Sequence, residues 1–281
     1  MIISTDSTAN LTEKYYQDNN ISMIPLQINI GDDLYNDLSP ELPLKEFYQK
    51  MRDGAVPKTA QINRETAIQY FENLLKSGED VLHISFSSAL SGNTDTIIKI
   101  ANELNASHNN KVLVFDSLNA SMGEGQFVIQ AVELKNKGLT IDEIYENLLS
   151  IREKSCSFFT VDSLKYLVRG GRLSKLSGIV GSLLNIKPIL HVNNEGKLVS
   201  FKKVLTRKKS ILELANICAK KHTNKDNVYI CHADAENEAK ILAEKVNELI
   251  GSTPKINDLT QVIGSHTGPG LIALFFFGSE K

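Results

Sequence analysis

Residues Val81–Thr96 read VLHISFSSALSGNTDT. Val81 to Phe86 form a short apolar strand. Ser87, Ser88, Ser91, Gly92 and Asn93 follow it, and Thr94 and Asp95 open a helical pattern. A strand that feeds a helix through a small-residue loop is the building unit of a parallel α/β sheet. The first N–H groups of a helix have no internal partner, and the helix dipole favours negative charge there. Such a loop is therefore a natural anion site. It contains no Lys, His or Cys that would attack or deprotonate a substrate. It reads as a device for holding something.

The alternation continues on both sides of this stretch. Strands are expected at Ile2–Thr5, Ser22–Ile30, Val81–Phe86 and Lys111–Phe115. Helices are expected at Leu11–Asp18, Pro43–Met51, Glu65–Lys76, Thr94–Leu104 and Gly125–Lys135. Thr140 and Glu143 carry the capping-box spacing and open a further helix to about Lys154. Strands alternating with helices imply a parallel sheet covered on both faces. After Cys156 the texture changes. Phe158–Val161 reads as a strand and leads to the basic turn Arg169-Gly170-Gly171-Arg172. Pro188–Val192 and Lys197–Leu205 flank Asn193-Asn194-Glu195-Gly196, a hairpin signal. A helix over Lys208–Lys221, a strand over Asn227–His232 and a helix over Glu236–Ile250 follow. The chain ends with Gln261–Gly264, a His266-Thr267-Gly268-Pro269-Gly270 turn, and Leu271–Phe277 as a last strand. This half reads as a mixed sheet with helices on one side. The division falls near residue 156, giving units 1–156 and 157–281.

The 281 residues are enough to bury a full core, and 31 basic residues against 33 acidic ones leave no electrostatic footprint for nucleic acid. Cys156, Cys218 and Cys231 are odd in number and share no CxxC spacing, so buried reduced thiols and no metal are expected. Met1 runs straight into IIST, which does not have the pattern of a secretory leader, and no apolar run has the length of a membrane span. A cytoplasmic protein is the expectation.

Several loops carry polar groups to one edge of the expected sheet. Asp6-Ser7-Thr8 and Asp116-Ser117 both follow strands; the plain reading is capping, and the functional one is a site at the carboxyl edge. Asn63 caps the helix after Lys58-Thr59-Ala60-Gln61, which leaves Thr59 and Gln61 to offer a hydroxyl and an amide. The RGGR turn is either a solvated turn or a source of an inward guanidinium for carboxylate or phosphate. His83, His191 and His232 sit in strand patterns and read as structural; His266 lies where donors converge. The chain has no GxGxxG, Walker A, HExxH or GxSxG motif.

Taken in order, Asp6-Ser7-Thr8, Thr59-Ala60-Gln61, Leu90-Ser91-Gly92, Asp116-Ser117, Gly170-Gly171-Arg172 and His266-Thr267-Gly268-Pro269-Gly270 resemble the DegV family of fatty-acid-binding proteins over essentially the whole chain. Ala60 stands where the family usually has Ser, and Asn93-Thr94 where it has Thr and an aromatic residue. The resemblance implies an α/β protein of two domains. Residues 1–156 would form a three-layer Rossmann-like parallel sheet, and residues 157–281 a two-layer domain with a mixed sheet. A long-chain fatty acid such as palmitate would lie in a tunnel between them. Thr59 and Ser91 would bind its carboxylate, with Gln61, Gly92, Arg169, His266 and Thr267 nearby. The protein would be a carrier without catalytic residues or cofactor. It would present the acid to a separate fatty-acid kinase that makes acyl phosphate for phospholipid synthesis.

A long acyl chain of about fifteen methylenes, each worth roughly 0.8 kcal/mol when buried, outweighs one charged hydrogen bond at about 1.5–3 kcal/mol. The tail would therefore set affinity and the polar loop orientation. Candidate lining comes from Ile24, Leu26, Ile28, Phe86, Phe158, Phe159, Ile189 and the LIALFFF strand, all of which are equally ordinary core residues. Lys202, Lys203, Arg207, Lys208 and Lys209 form a basic cluster. Lys202, Lys203 and Arg207 are candidates for docking an acidic kinase surface. With both domains on one chain, a monomer is expected. Two other readings stand beside the carrier. One is an esterase or acyltransferase with Ser91 as nucleophile and His266 as base. The other is a nucleotide or sugar-phosphate binder using the same helix N-termini.

Overall fold

The computed structural model describes residues 1–172 and 187–281. Its first elements are β1 (Ile2–Asp6), α1 (Glu13–Asp18), β2 (Ser22–Ile24), β3 (Gln27–Ile30), β4 (Asp33–Asn36), α2 (Leu44–Arg52), β5 (Lys58–Ala60), α3 (Arg64–Leu75) and β6 (Val81–Ser85). Then come α4 (Asn93–Asn105), β7 (Val112–Asp116), α5 (Met122–Asn136) and α6 (Ile141–Ile151). Four parallel strands form a sheet in the order β2-β1-β6-β7. Every residue of β6 is buried, as expected of an apolar run covered on both faces. Phe71, Ile97, Ile100 and Leu104 of α3 and α4 close one face. α5 packs on β1 and β6 from the other side.

The rest of the chain adds β8 (Ser155–Thr160), α7 (Lys165–Arg169), β9 (Lys187–Val192), β10 (Leu198–Val204), α8 (Arg207–Lys221), β11 (Tyr229–His232), α9 (Glu236–Ile250), β12 (Lys255–Asp258), α10 (Gln261–Thr267) and β13 (Ile272–Phe277). Six strands form a mixed sheet in the order β10-β9-β8-β13-β11-β12, with β11–β12 as its parallel pair. α8 and α9 cover one face through Ile211, Leu214, Leu242 and Val246, which meet Phe158, Ile189, Ile272, Leu274 and Phe276. The opposite face turns toward α5, which touches β8, β11 and β13. α5 is thus enclosed between the two sheets. Ten of its residues, from Met122 to Val132, are buried, which suits a helix with no wholly polar face.

Expectation and structure part in three places. Ser22–Ile30 is two strands: Pro25 lacks an N–H, and after it the chain leaves the parallel sheet for a small antiparallel one, β4-β3-β5. Gln261–Thr267 is a helix, where the sequence marks no element over Gln261–Gly264 and a turn from His266. Its start is fixed from a distance, since the Val262 N–H donates to Asp37 Oδ1 (3.1 Å). The short elements β4, β5, α7 and β12 were not anticipated; each has three to five residues, too few to display a period. The hairpin at Asn193–Gly196 forms as read, with Val192 opposite Leu198. Its tip reaches across to the opening loop, where the Ser87 hydroxyl donates to the Gly196 carbonyl (2.9 Å).

Gly268 ends α10 and turns the chain into β13 at φ +77°. A Cβ there would stand 2.1 Å from the Tyr166 ring. Backbone and packing both demand glycine. Gly268→Ala is expected to lower stability by about 1–3 kcal/mol or more, seen as a lower denaturant midpoint at unchanged slope.

Candidate functional site

One cavity lies where the loops at the carboxyl edge of the parallel sheet face the open side of the mixed sheet. It encloses about 100 Å³, less than the ~300–1,000 Å³ usual for small-molecule sites. The parallel-sheet side supplies Thr8, Leu26, Phe86, Leu90, Ser91 and Asn93, and β5 supplies Thr59. The mixed sheet supplies Ser157, Phe159, Val192, Leu198, Ala273 and Phe275, and α10 supplies Val262, Ile263, His266 and Thr267. The pleat divides the apolar candidates. Leu271, Ala273, Phe275 and Phe159 face the cavity, whereas Ile272, Leu274, Phe276 and Phe158 face α8 and α9. Ile189 joins the second group, Leu26 and Phe86 the first, and Ile24 and Ile28 are buried core.

Polar groups gather on the side of the cavity formed by β5, α10 and the start of α4. Thr59 sits opposite Ile28 in the small antiparallel sheet. Its Oγ1 lies 2.8 Å from His266 Nε2. Gly170 packs against the other edge of that imidazole: a Cβ there would stand 2.5 Å from Nδ1. Burial and the nearby Arg172 guanidinium push the His266 pKa down to about 4, so the ring is neutral at pH 7. Ser91 stands at the uncapped start of α4, where its Oγ accepts from the Asn93 N–H (3.2 Å). Asn93 Oδ1 accepts from the Ile62 N–H (3.1 Å), which fixes the amide so that Nδ2 is its donor side. That Nδ2 is buried without a partner on a residue that lines the cavity. Arg172 Nε donates to the Leu90 carbonyl (3.3 Å) and Nη1 to the Gly170 carbonyl (2.5 Å). These bonds hold its guanidinium on the cavity wall.

Thr59, Ser91, His266 and Thr267, singled out by sequence, therefore meet on one cavity. Three other candidates stand elsewhere. Gln61 is exposed and lies over Gly92, where a Cβ would come 2.5 Å from Gln61 Nε2. Arg169 is exposed, stacks on Tyr166 and borders an outer recess with Lys58 and Val56. Arg172 supplies the guanidinium that the RGGR turn promised. Asn93 was noted as a departure from the family pattern and not as a donor; its position at the first turn of a helix was the available signal. The basic cluster is partly spent inside the molecule. Lys202 pairs with Glu213 (2.8 Å), and Arg207 grips Glu238 with two nitrogens (3.0 and 2.6 Å) and donates to the Gly270 carbonyl (2.6 Å). Arg207 clamps α8, α9 and the turn before β13 together, which is a structural duty.

A second polar group stands behind the Thr8 part of the wall. Asp6 and Glu124 are both fully buried, and Thr8 Oγ1 bonds to Asp6 Oδ1 and lies 3.0 Å from Glu124 Oε2. Thr5 Oγ1 donates to Glu124 Oε1 (2.9 Å). Desolvation first, and Asp6 second, hold the Glu124 carboxyl well above the usual carboxylate range. One threonine proton cannot serve two carboxylates. A protonated Glu124 donating to Thr8, and Thr8 donating to Asp6 Oδ1, accounts for both contacts and leaves Asp6 Oδ2 buried without a partner.

The described hydrogen bonds join His266 to Thr59 and Ser91 to Asn93. Among the described residues none joins Ser91 to His266, and the pair required for a serine nucleophile is not assembled. No three His, Cys, Asp or Glu among these residues are grouped to hold a metal, and no helix is long and apolar enough to cross a membrane.

Comparison with known proteins gives a consistent result. The profile described as "Uncharacterised protein, DegV family" matches residues 1–279. A DegV domain-containing protein of Clostridium perfringens is 38% identical over 285 residues, which is 100% of this chain and 98% of that one. Among solved structures, DegV of Bacillus subtilis, described as a fatty acid binding protein, is 30% identical with a TM-score of 0.87 over 99% of both chains. A fatty acid binding DegV family protein of Streptococcus agalactiae is 29% identical, with a TM-score of 0.89 over 99% of both chains. The chain belongs to the DegV family.

A neutral imidazole on the cavity wall makes a direct prediction. NMR titration of ligand-free protein should show His266 uncharged down to about pH 5, with its midpoint near 4. Arg172→Gln should move that midpoint upward, because it removes a repelling charge.

Proposed function

We propose that this DegV-family chain is a carrier that binds a long-chain fatty acid in the apolar cavity. The acid's carboxylate would lie among Thr59, Ser91, Asn93, His266 and Arg172. One observation carries the reading: the apolar cavity has its spare hydrogen-bond donors gathered beside Thr59, including the unpartnered Asn93 Nδ2. The fatty acid binding described for the Bacillus subtilis and Streptococcus agalactiae proteins, near-complete structural matches to this chain, supports it.

The ligand would lie between residues 1–156 and residues 157–281, held by the loops of the first and the sheet of the second. Burial of the tail would dominate affinity, at roughly 0.8 kcal/mol for each methylene. Hydroxyl and amide donors would fix the head group without enclosing it. Thr59 would donate to the carboxylate while accepting from the His266 Nε2–H, which fixes the imidazole tautomer. A carboxylate so held keeps an oxygen free to attack the terminal phosphoryl group of a nucleoside triphosphate bound to a separate kinase. Acyl phosphate and the diphosphate would result, and this chain would supply orientation only. Of the docking candidates, Lys202 and Lys203 are exposed and would meet such a partner's acidic surface.

Protein purified from cells should release long-chain fatty acid in near-stoichiometric amount on denaturation, measured by mass spectrometry. Finding none, together with no uptake of added acid by delipidated protein, would sink the reading. Thr59→Val and Ser91→Ala should each weaken binding by about tenfold, the value of one hydrogen bond to a charged group. Lengthening the ligand by one methylene should strengthen binding by about fourfold until the cavity is full.

A further inference from the structure

The cavity is not uniformly apolar away from the Thr59 end. Ser157 lies on β8 opposite Phe275, three residues along the strand from the Thr160–Ile272 pair at the α7 and α10 end. That spacing places it roughly 10 Å deeper along the sheet. Ser121 and Thr8 line the same cavity. The three hydroxyls are not equivalent. Ser157 donates to Asn119 Oδ1 (2.6 Å), and Thr8 is committed to the Asp6 and Glu124 carboxyls. Ser121 is 4% exposed, and its Oγ has no oxygen or nitrogen partner. It reaches only the buried Cys231 thiol, and sulfur is a weak acceptor. Ser121 also holds φ +55° and ψ −139°, a region that side chains rarely adopt, so the backbone there is kept against its preference.

A plain alkyl chain would leave that hydroxyl buried with only a sulfur to receive it, a poor arrangement for a polar atom. A ligand with an oxygen at that depth would satisfy it. We propose that the Ser121 end of the cavity is a subsite for an oxygen function on the acyl chain, so that the preferred ligands include long-chain acids with a mid-chain hydroxyl. This rests on the fatty-acid reading above and adds a ligand class to it. The chain hydroxyl would donate to or accept from Ser121 Oγ. The apolar walls formed by Phe159, Val192, Leu198 and Phe275 would hold the methylenes on either side.

The test compares stearic acid with hydroxystearic acids bearing the hydroxyl at different mid-chain positions, by competition against a fluorescent fatty acid on delipidated protein. At least one hydroxy acid should bind as tightly as stearic acid or tighter, whereas a purely apolar cavity would reject it by about tenfold or more. Ser121→Ala should shift the ratio of the two affinities about tenfold toward stearic acid. Ser121→Gly also removes the hydroxyl and suits the positive φ, so it supplies the same readout if the alanine variant folds poorly. The proposal is overturned if every hydroxy acid is rejected by the wild type, or if neither variant moves the ratio. If wild-type protein binds neither acid, the fatty-acid reading falls and this proposal with it.

Discussion

The arrangement depends on a helix that has almost nowhere to meet water. α5 lies between a parallel sheet and a mixed sheet, and each must present it a complementary face. Two glycines on its first turn set how closely it approaches. A Cβ at Gly125 would stand 2.4 Å from the Ala9 carbonyl, and one at Gly123 would stand 2.3 Å from Asn119 Oδ1. The same turn carries Glu124, which Thr5 and Thr8 receive and whose carboxyl is held by burial well above the usual carboxylate range. This seating sets the spacing between the sheets, and the cavity opens beside the start of the helix.

Polarity inside the cavity is unevenly distributed for a topological reason. Loops at the carboxyl edge of a parallel sheet bring helix starts and small hydroxyl residues, while the face of an antiparallel sheet brings alternate apolar side chains. Here the two meet. α4 brings Ser91 and Asn93, α10 brings His266, and β8, β9, β10 and β13 bring the apolar wall. His266 stays neutral for lack of water and for nearness to Arg172, which suits a group that shares a hydrogen bond with Thr59 without holding a charge of its own.

Most of this was legible wherever the pattern is local and long. The alternation of strands and helices, the capping box at Thr140, the Asn193–Gly196 hairpin and the meeting of Thr59, Ser91 and His266 could all be read from residue types and order. Legibility failed where a distant residue decides the outcome. α10 is seven residues long, and its first turn is held by Asp37, 225 positions from Val262. No local window contains that information. The choice between Arg169 and Arg172 turns on two carbonyls, Leu90 and Gly170, that accept from Arg172. Arg207 looked like a free charge until Glu238 was found beside it. Asn93 was visible as a residue but not as a donor, because its free Nδ2 follows from the Ile62 N–H occupying its oxygen.

The pleat of β13 has a consequence for how this protein can change. Leu271, Ala273 and Phe275 border the cavity, while Ile272, Leu274 and Phe276 lock the sheet to α8 and α9. One strand therefore carries two nearly independent sets of positions. Enlarging or narrowing the cavity at the odd-numbered residues leaves the even-numbered packing in place. Ligand preference can drift between relatives while the framework is conserved, and the two properties can be inherited and selected separately although they share a single run of chain.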